Sequence, residues 1–183
     1  MKKFLTALLV ILLLCGMTAV AGRSILRAVY PQKYNDYVET YSRQYGVDAS
    51  LIRAVIRTES SFDPDATSEV GARGLMQIMP ETLEWLCYRM GSYVSVDALA
   101  DPETSIRYGT YFLHLLLEEF GGTREALAAY HAGRGSVVKW LADDAYSADG
   151  KTLDRIPYRD TAHYVRKVEQ AQIMYEKLYG KTD

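Results

Sequence analysis

Apolar residues recur every three to four positions along most of this chain, and no stretch alternates with the two-residue rhythm of a strand. The pattern predicts a succession of short helices. Tyr34 to Tyr45 forms the first and is stopped by Gly46. Asp48 is placed to cap a second, Ala49 to Ser60. Phe62 to Gly74, with Pro64, Gly71 and Gly74, reads as a loop. Pro80 opens a helix to Met90, ended by Gly91, and Pro102 opens another to Phe120, ended by Gly121 and Gly122. Thr123 is placed to cap Arg124 to His131. Ser136 to Ala142 is a short helix, Asp143 to Pro157 a polar loop, and Asp160 to Tyr179 a long final helix. These elements predict a globular all-α domain over residues 34–183 with short connections, preceded by a linker at 22–33 that closes near Pro31.

The first 21 residues have a different pattern. Lys2 and Lys3 precede Phe4 to Ala21, 18 residues without a charge. A run of that length fits a membrane anchor at its short limit, or a signal peptide cleaved after Ala19-Val20-Ala21. With the lysines held inside, either reading carries the remainder out of the cytoplasm, tethered to the membrane through residues 4–21 or secreted to the cell wall.

Composition narrows the function. Among 183 residues, 21 are Lys or Arg and 23 are Asp or Glu, so the formal net charge is −2. That balance argues against a nucleic-acid partner. Two cysteines, Cys15 and Cys87, provide no disulfide framework, and Cys87 reads as a small buried apolar residue. Three histidines without a paired spacing suggest no metal site, and no organic cofactor is implied.

One carboxylate interrupts an apolar stripe. At roughly 100° per residue, Leu51, Val55 and Glu59 fall within about 80° of one another, flanked by Ile52 and Ile56. Arg53, Arg57 and Ser60 fall on the other side. A glutamate on that face loses hydration, and desolvation favours its protonated form. A general acid acting near neutral pH needs that property.

The segments around Glu59 add specificity. Glu59-Ser60-Ser61-Phe62 leads through Asp63-Pro64-Asp65-Ala66 and Ser68 to Gly71-Ala72-Arg73-Gly74-Leu75-Met76-Gln77-Ile78-Met79-Pro80. Ala129-Tyr130-His131-Ala132-Gly133 follows, then Ile156-Pro157-Tyr158-Arg159-Asp160-Thr161 and Tyr164-Val165. Residues 32–180 resemble the lytic transglycosylases of the soluble-lytic-transglycosylase type, which have a lysozyme-like fold. The resemblance implies that Glu59 is the sole acid/base on peptidoglycan glycan strands. It would protonate the oxygen between N-acetylmuramic acid and N-acetylglucosamine, then take the C6 hydroxyl proton of the same muramic sugar, which closes a 1,6-anhydro ring. An ordinary glycoside hydrolase uses a second carboxylate. Here the sugar's own hydroxyl, already positioned in the substrate, takes that role.

By the same resemblance, Ser68, Gln77, Met79, Tyr130, His131 and Tyr158 are substrate-binding candidates. Ser68 would orient Glu59 or meet substrate. Gln77 would donate to and accept from sugar groups, Met79 would form cleft wall, and the Tyr130 hydroxyl would lie near the acid. Tyr158 and Tyr164 are the better cleft candidates among the 15 tyrosines; Tyr34, Tyr37, Tyr41 and Tyr45 recur at helical spacing and read as packing residues. Two positions depart from the family pattern. His131 stands where Asn is common, and Asp160 where Glu is common; Asp160 is expected to cap the last helix. Two other readings stand beside the transglycosylase: a lysozyme-type muramidase that uses water, and a catalytically silent glycan-binding domain.

Overall fold

A computed structural model of the chain describes residues 17–18 and 21–180. Apart from residues 17, 18 and 21, the apolar run at 4–21 lies outside the described residues. Among the described residues, no helix is long and apolar enough to cross a membrane.

The described chain is helical without a β-strand. Residues 21–29 form α1. Then follow α2 (Asn35–Tyr45), α3 (Ala49–Ser60), α4 (Pro80–Met90), a 3-10 turn at Val96–Ala100, α5 (Pro102–Phe120), α6 (Thr123–Ala132), α7 (Arg134–Leu141) and α8 (Arg159–Tyr179). Asp48 caps α3 as expected by accepting the Ser50 N–H at 2.7 Å. Asp101 does the same for α5, accepting from Thr104 N and Oγ1.

Every residue of α3 from 49 to 56 is buried, so this helix runs through the core. Its largest helix–helix contact is with α8. Burial on all sides corrects the reading of Arg53 as an outer-face residue. Arg53 is 3% exposed, and its guanidinium donates to Asn35 and Glu39 on α2. A buried guanidinium is tolerated because a carboxylate and an amide replace its water.

Other local expectations also change. Within the segment read as a linker, residues 22–29 are helical. Thr123 is the first residue of α6 rather than its cap, the cap position being Gly122. Asp160 sits in the first turn of α8, where its charge favours the helix dipole, but Tyr158 holds the cap position and no side-chain cap bond forms. The polar loop at 143–157 is tied down by buried Glu125, which accepts the Leu153 N–H at 2.8 Å.

The loop from Ser61 to Met79 folds back after α3 and packs on α5. Ser61 and Phe62 adopt left-handed backbone, φ 54° and 66°, and turn the chain sharply after α3. Bridges pair Arg73 with Thr67 and with Ile78. At Gly74, φ is +76° and an added Cβ would meet the Leu99 carbonyl oxygen at 2.0 Å, so only glycine fits. At Gly109 of α5, an added Cβ would meet the Met76 Sδ at 2.4 Å. The loop is therefore seated directly against α5.

Candidate active site

Glu59 lies in the last turn of α3. Its neighbour Ser60 fixes that turn to the loop: Oγ donates to the Leu75 carbonyl at 2.9 Å and accepts the Phe62 N–H at 3.2 Å. Burial raises the Glu59 carboxyl from its usual 4.5 to about 7. The Tyr164 hydroxyl and the Lys167 charge, both on α8, act against that rise. They favour the ionised form without outweighing desolvation. Tyr164 is itself buried. Its hydroxyl lies beside Glu59 yet holds no hydrogen bond of regular geometry. Burial first, and then the Glu59 charge, push its pKa well above that of a free tyrosine.

Tyr130 of α6 also feels Glu59. Burial, followed by the Glu59 charge, raises its pKa. Its hydroxyl donates to the Met76 carbonyl at 2.7 Å rather than to the carboxylate. On the other side of that residue, the Met76 N–H donates to Ser105 Oγ at 3.2 Å. Helices α5 and α6 thus clamp both faces of Met76, one residue before Gln77.

The remaining candidates fall around this clamp and along the end of α6. Gln77 has φ 47°, and its Nε2 donates to the Ala66 carbonyl at 3.0 Å and the Gly74 carbonyl at 2.9 Å. Both N–H groups are spent inside the loop, which leaves Oε1 as an acceptor. The expected two-way amide is therefore reduced to one role. Ser68 Oγ accepts the Ala72 N–H at 2.9 Å, a loop-closing bond that leaves the hydroxyl proton available. Met79 is half-buried at the N-terminal boundary of α4. The His131 Nδ1 lies 3.1 Å from Thr161 Oγ1, and its ring packs on Tyr164 with centroids 4.5 Å apart. Burial lowers the His131 pKa and nearby Asp160 opposes that shift. Tyr158 is exposed at the start of α8 and packs edge-on against Trp140 at 5.0 Å.

The structure thus brings Tyr130, Tyr164 and Lys167 toward Glu59 and joins His131 to Tyr164. Gln77 and Ser68 belong to the facing loop, and Tyr158 stands apart on the surface. Lys167 is the member that sequence reasoning missed. It lies one helical turn after Tyr164, a spacing that places both on one face of α8. A cavity of about 700 Å³ between α4 and residues 92–96 shares no lining residue with this cluster. Among the described residues, no group of His, Cys, Asp or Glu is arranged to hold a metal.

The combination defines a class: a short-helix domain that carries, in the last turn of a buried helix, a carboxyl raised by burial to about 7, overlooked by tyrosines and a clamped loop. Residues 36–152 match the model of the transglycosylase SLT domain, and the chain belongs to that family. It is 35% identical over 158 residues to the soluble lytic murein transglycosylase of Salmonella typhimurium, covering 84% of this chain and 24% of that protein. It is 32% identical over 170 residues to the membrane-bound lytic murein transglycosylase C of Actinobacillus succinogenes, covering 80% and 48%. The crystal structure of the 70 kDa soluble lytic transglycosylase from Escherichia coli superimposes with a TM-score of 0.76 at 34% identity, covering 85% of this chain and 26% of that one. The fold is therefore lysozyme-like. The chain spans about a quarter of the length of its soluble relatives and about half that of the membrane-bound one.

Proposed function

We propose that this chain is a peptidoglycan lytic transglycosylase acting outside the cytoplasm, with Glu59 as its acid and base. The observation that carries the reading is the lone carboxyl at the end of α3, raised by burial to about 7. At that value both protonation states are populated near neutral pH, which suits one group that first gives a proton and then takes one. Protonated Glu59 donates to the oxygen linking N-acetylmuramic acid to N-acetylglucosamine, and the C1–O bond breaks. Ionised Glu59 then accepts the C6 hydroxyl proton as O6 bonds to C1. The proton returns to Glu59, the N-acetylglucosamine end leaves as an alcohol, and no water is consumed. Tyr164 and Lys167 steady the ionised intermediate state of Glu59.

Among the described residues, a tyrosine and a lysine act on the Glu59 charge, and the family resemblance assigns the nucleophile to the sugar's own hydroxyl rather than to a water activated by a second carboxylate. Asp63, the nearest acid along the chain after it, accepts the Asp65 N–H within its own turn. Ser68, the Gln77 carbonyl, Met79 and His131 are assigned to the glycan beside Glu59, Tyr130 to positioning the peptide next to Gln77 through the Met76 carbonyl, and exposed Tyr158 to a more distant part of the strand. The relatives' names, soluble and membrane-bound lytic murein transglycosylase, support both the substrate and the location. Glu59→Gln tests the assignment. Clearing of a peptidoglycan suspension should fall at least a thousandfold with the helical content unchanged. Clearing within tenfold of the parent chain would remove Glu59 from the reaction.

A further inference from the structure

Helix α1 is fastened to the domain on one side and bare on the other. Arg23 Nη2 donates to the Leu178 carbonyl at 3.3 Å, and the Arg27 guanidinium lies 5.7 Å from the Tyr179 ring centre. Just beyond α1, Tyr179 Oη donates to the Tyr30 carbonyl at 2.7 Å and Tyr175 Oη to the Pro31 carbonyl at 3.2 Å. Arg57 of α3 donates to the Val29 carbonyl at 3.0 Å and lies over the Tyr30 ring at 4.2 Å. Arg23, Arg27 and Tyr30 share one stripe of about 60° at 100° per residue. Turned about 120° from it stand Ile25, Leu26 and Val29, which are 65%, 39% and 46% exposed. An apolar face of this kind, held in a fixed direction, needs a cover.

The chain itself indicates the cover. The uncharged run Phe4–Ala21 ends where α1 begins. A run of 18 uncharged residues is close to the roughly 20 needed to cross the hydrocarbon core of a bilayer. The next residues are then at headgroup depth, where an amphipathic helix buries its apolar side in the acyl boundary. Arg23 and Arg27 are engaged with the C-terminal end of α8, so the face beside them is left apolar.

We propose that the Ile25–Leu26–Val29 face of α1 rests in the headgroup–acyl boundary of the membrane and, through its joint with α8, holds the domain against the lipid in one orientation. Arg57 meets that joint while Glu59, two residues on, points about 200° round α3. Glu59 is thereby turned away from the joint with α1. The inference rests on residues 4–21 being retained as an anchor and is independent of the chemistry at Glu59.

The test is fluorescence quenching of the full chain in vesicles of phosphatidylcholine and phosphatidylglycerol, with some lipids brominated near the headgroup end of their acyl chains. Leu26→Trp and Val29→Trp are compared with the parent chain, whose own signal comes from Trp85 and Trp140. The emission added by either substitution should be blue-shifted and lose at least half its intensity to brominated lipid. Vesicle flotation without quenching of the added emission would overturn the proposal while keeping the anchor. Failure to float would overturn both. A blue shift that appears only with self-association in lipid-free detergent would assign the face to a second copy instead. In every arm, peptidoglycan clearing by the same variants reports separately on the enzymatic reading.

Discussion

At the scale of the residue, burying the Glu59 carboxyl carries a cost that depends on pH. The folded protein holds the Glu59 proton up to about 7, whereas an unfolded chain releases it near 4.5. This group's contribution to stability is therefore undiminished below about 4.5, falls as pH rises between the two values, and reaches its full penalty above about 7. The shift corresponds to a penalty of up to about 3 kcal/mol. Glu59→Gln removes the titration, so in urea unfolding it should gain on the parent chain as pH rises above about 4.5 and hold a constant difference from it at lower pH. A stability difference that does not vary with pH would mean that Glu59 is solvated. Tyr130 gives a second test. Its hydroxyl satisfies the Met76 carbonyl, so Tyr130→Phe leaves that acceptor unpaired at a cost of about 1–2 kcal/mol. It also loosens the peptide next to Gln77. Turnover should fall at least tenfold at temperatures where the variant remains folded; unchanged turnover there would confine Tyr130 to packing.

At the scale of the element, helix boundaries were legible wherever the chain marks them chemically. Ala49–Ser60, Pro80–Met90 and Pro102–Phe120 are found where Asp48, the two opening prolines and the closing glycines place them. What escaped lacks such marks or depends on distant partners. Residues 22–29 have no cap signal and are held by α8 and α3, so their helix was not legible. The 3-10 turn at Val96–Ala100 is too short to show a period. Arg53 follows the helical wheel to the outer side, but α2 supplies Glu39 and Asn35 there and buries it. Glu59 was visible because a carboxylate broke an apolar stripe; Lys167 was not, because its nearness to Glu59 arises only when α8 packs on α3. The Gln77 amide was assigned to sugar because its loop partners, Ala66 and Gly74, become neighbours only after the chain folds back. The fold-back depends on Gly74. Gly74→Ala would drive a Cβ into the Leu99 carbonyl and should cost on the order of 4 kcal/mol. Thermal unfolding of that variant within a degree of the parent would show that the loop is not seated as described.

At the scale of the molecule, one buried helix organises the function. The α3 helix is enclosed by the core for most of its length and reaches the surface only in its last turn, where Glu59 stands. Its N-terminal half is held by α2, its length by α8, and the loop that follows is clamped by α5 and α6. Each of these elements contributes something to the carboxyl: a low-dielectric setting, a tyrosine, a lysine, or the seating of the facing loop. The same packing explains why a modest net charge suffices. In the proposed function, the glycan is recognised by hydrogen-bonding and aromatic groups around one acid, not by a charged field over the surface.

The central claim is that the bond is broken without water, and the mass of the products tests it most directly. The full chain, solubilised in detergent, is incubated with purified peptidoglycan and the released fragments are weighed by mass spectrometry. The expected products are muropeptides that end in 1,6-anhydro-N-acetylmuramic acid, each lighter by one water than its hydrolytic counterpart and resistant to borohydride reduction. Fragments with reducible muramic acid ends would contradict it and make the protein a hydrolase.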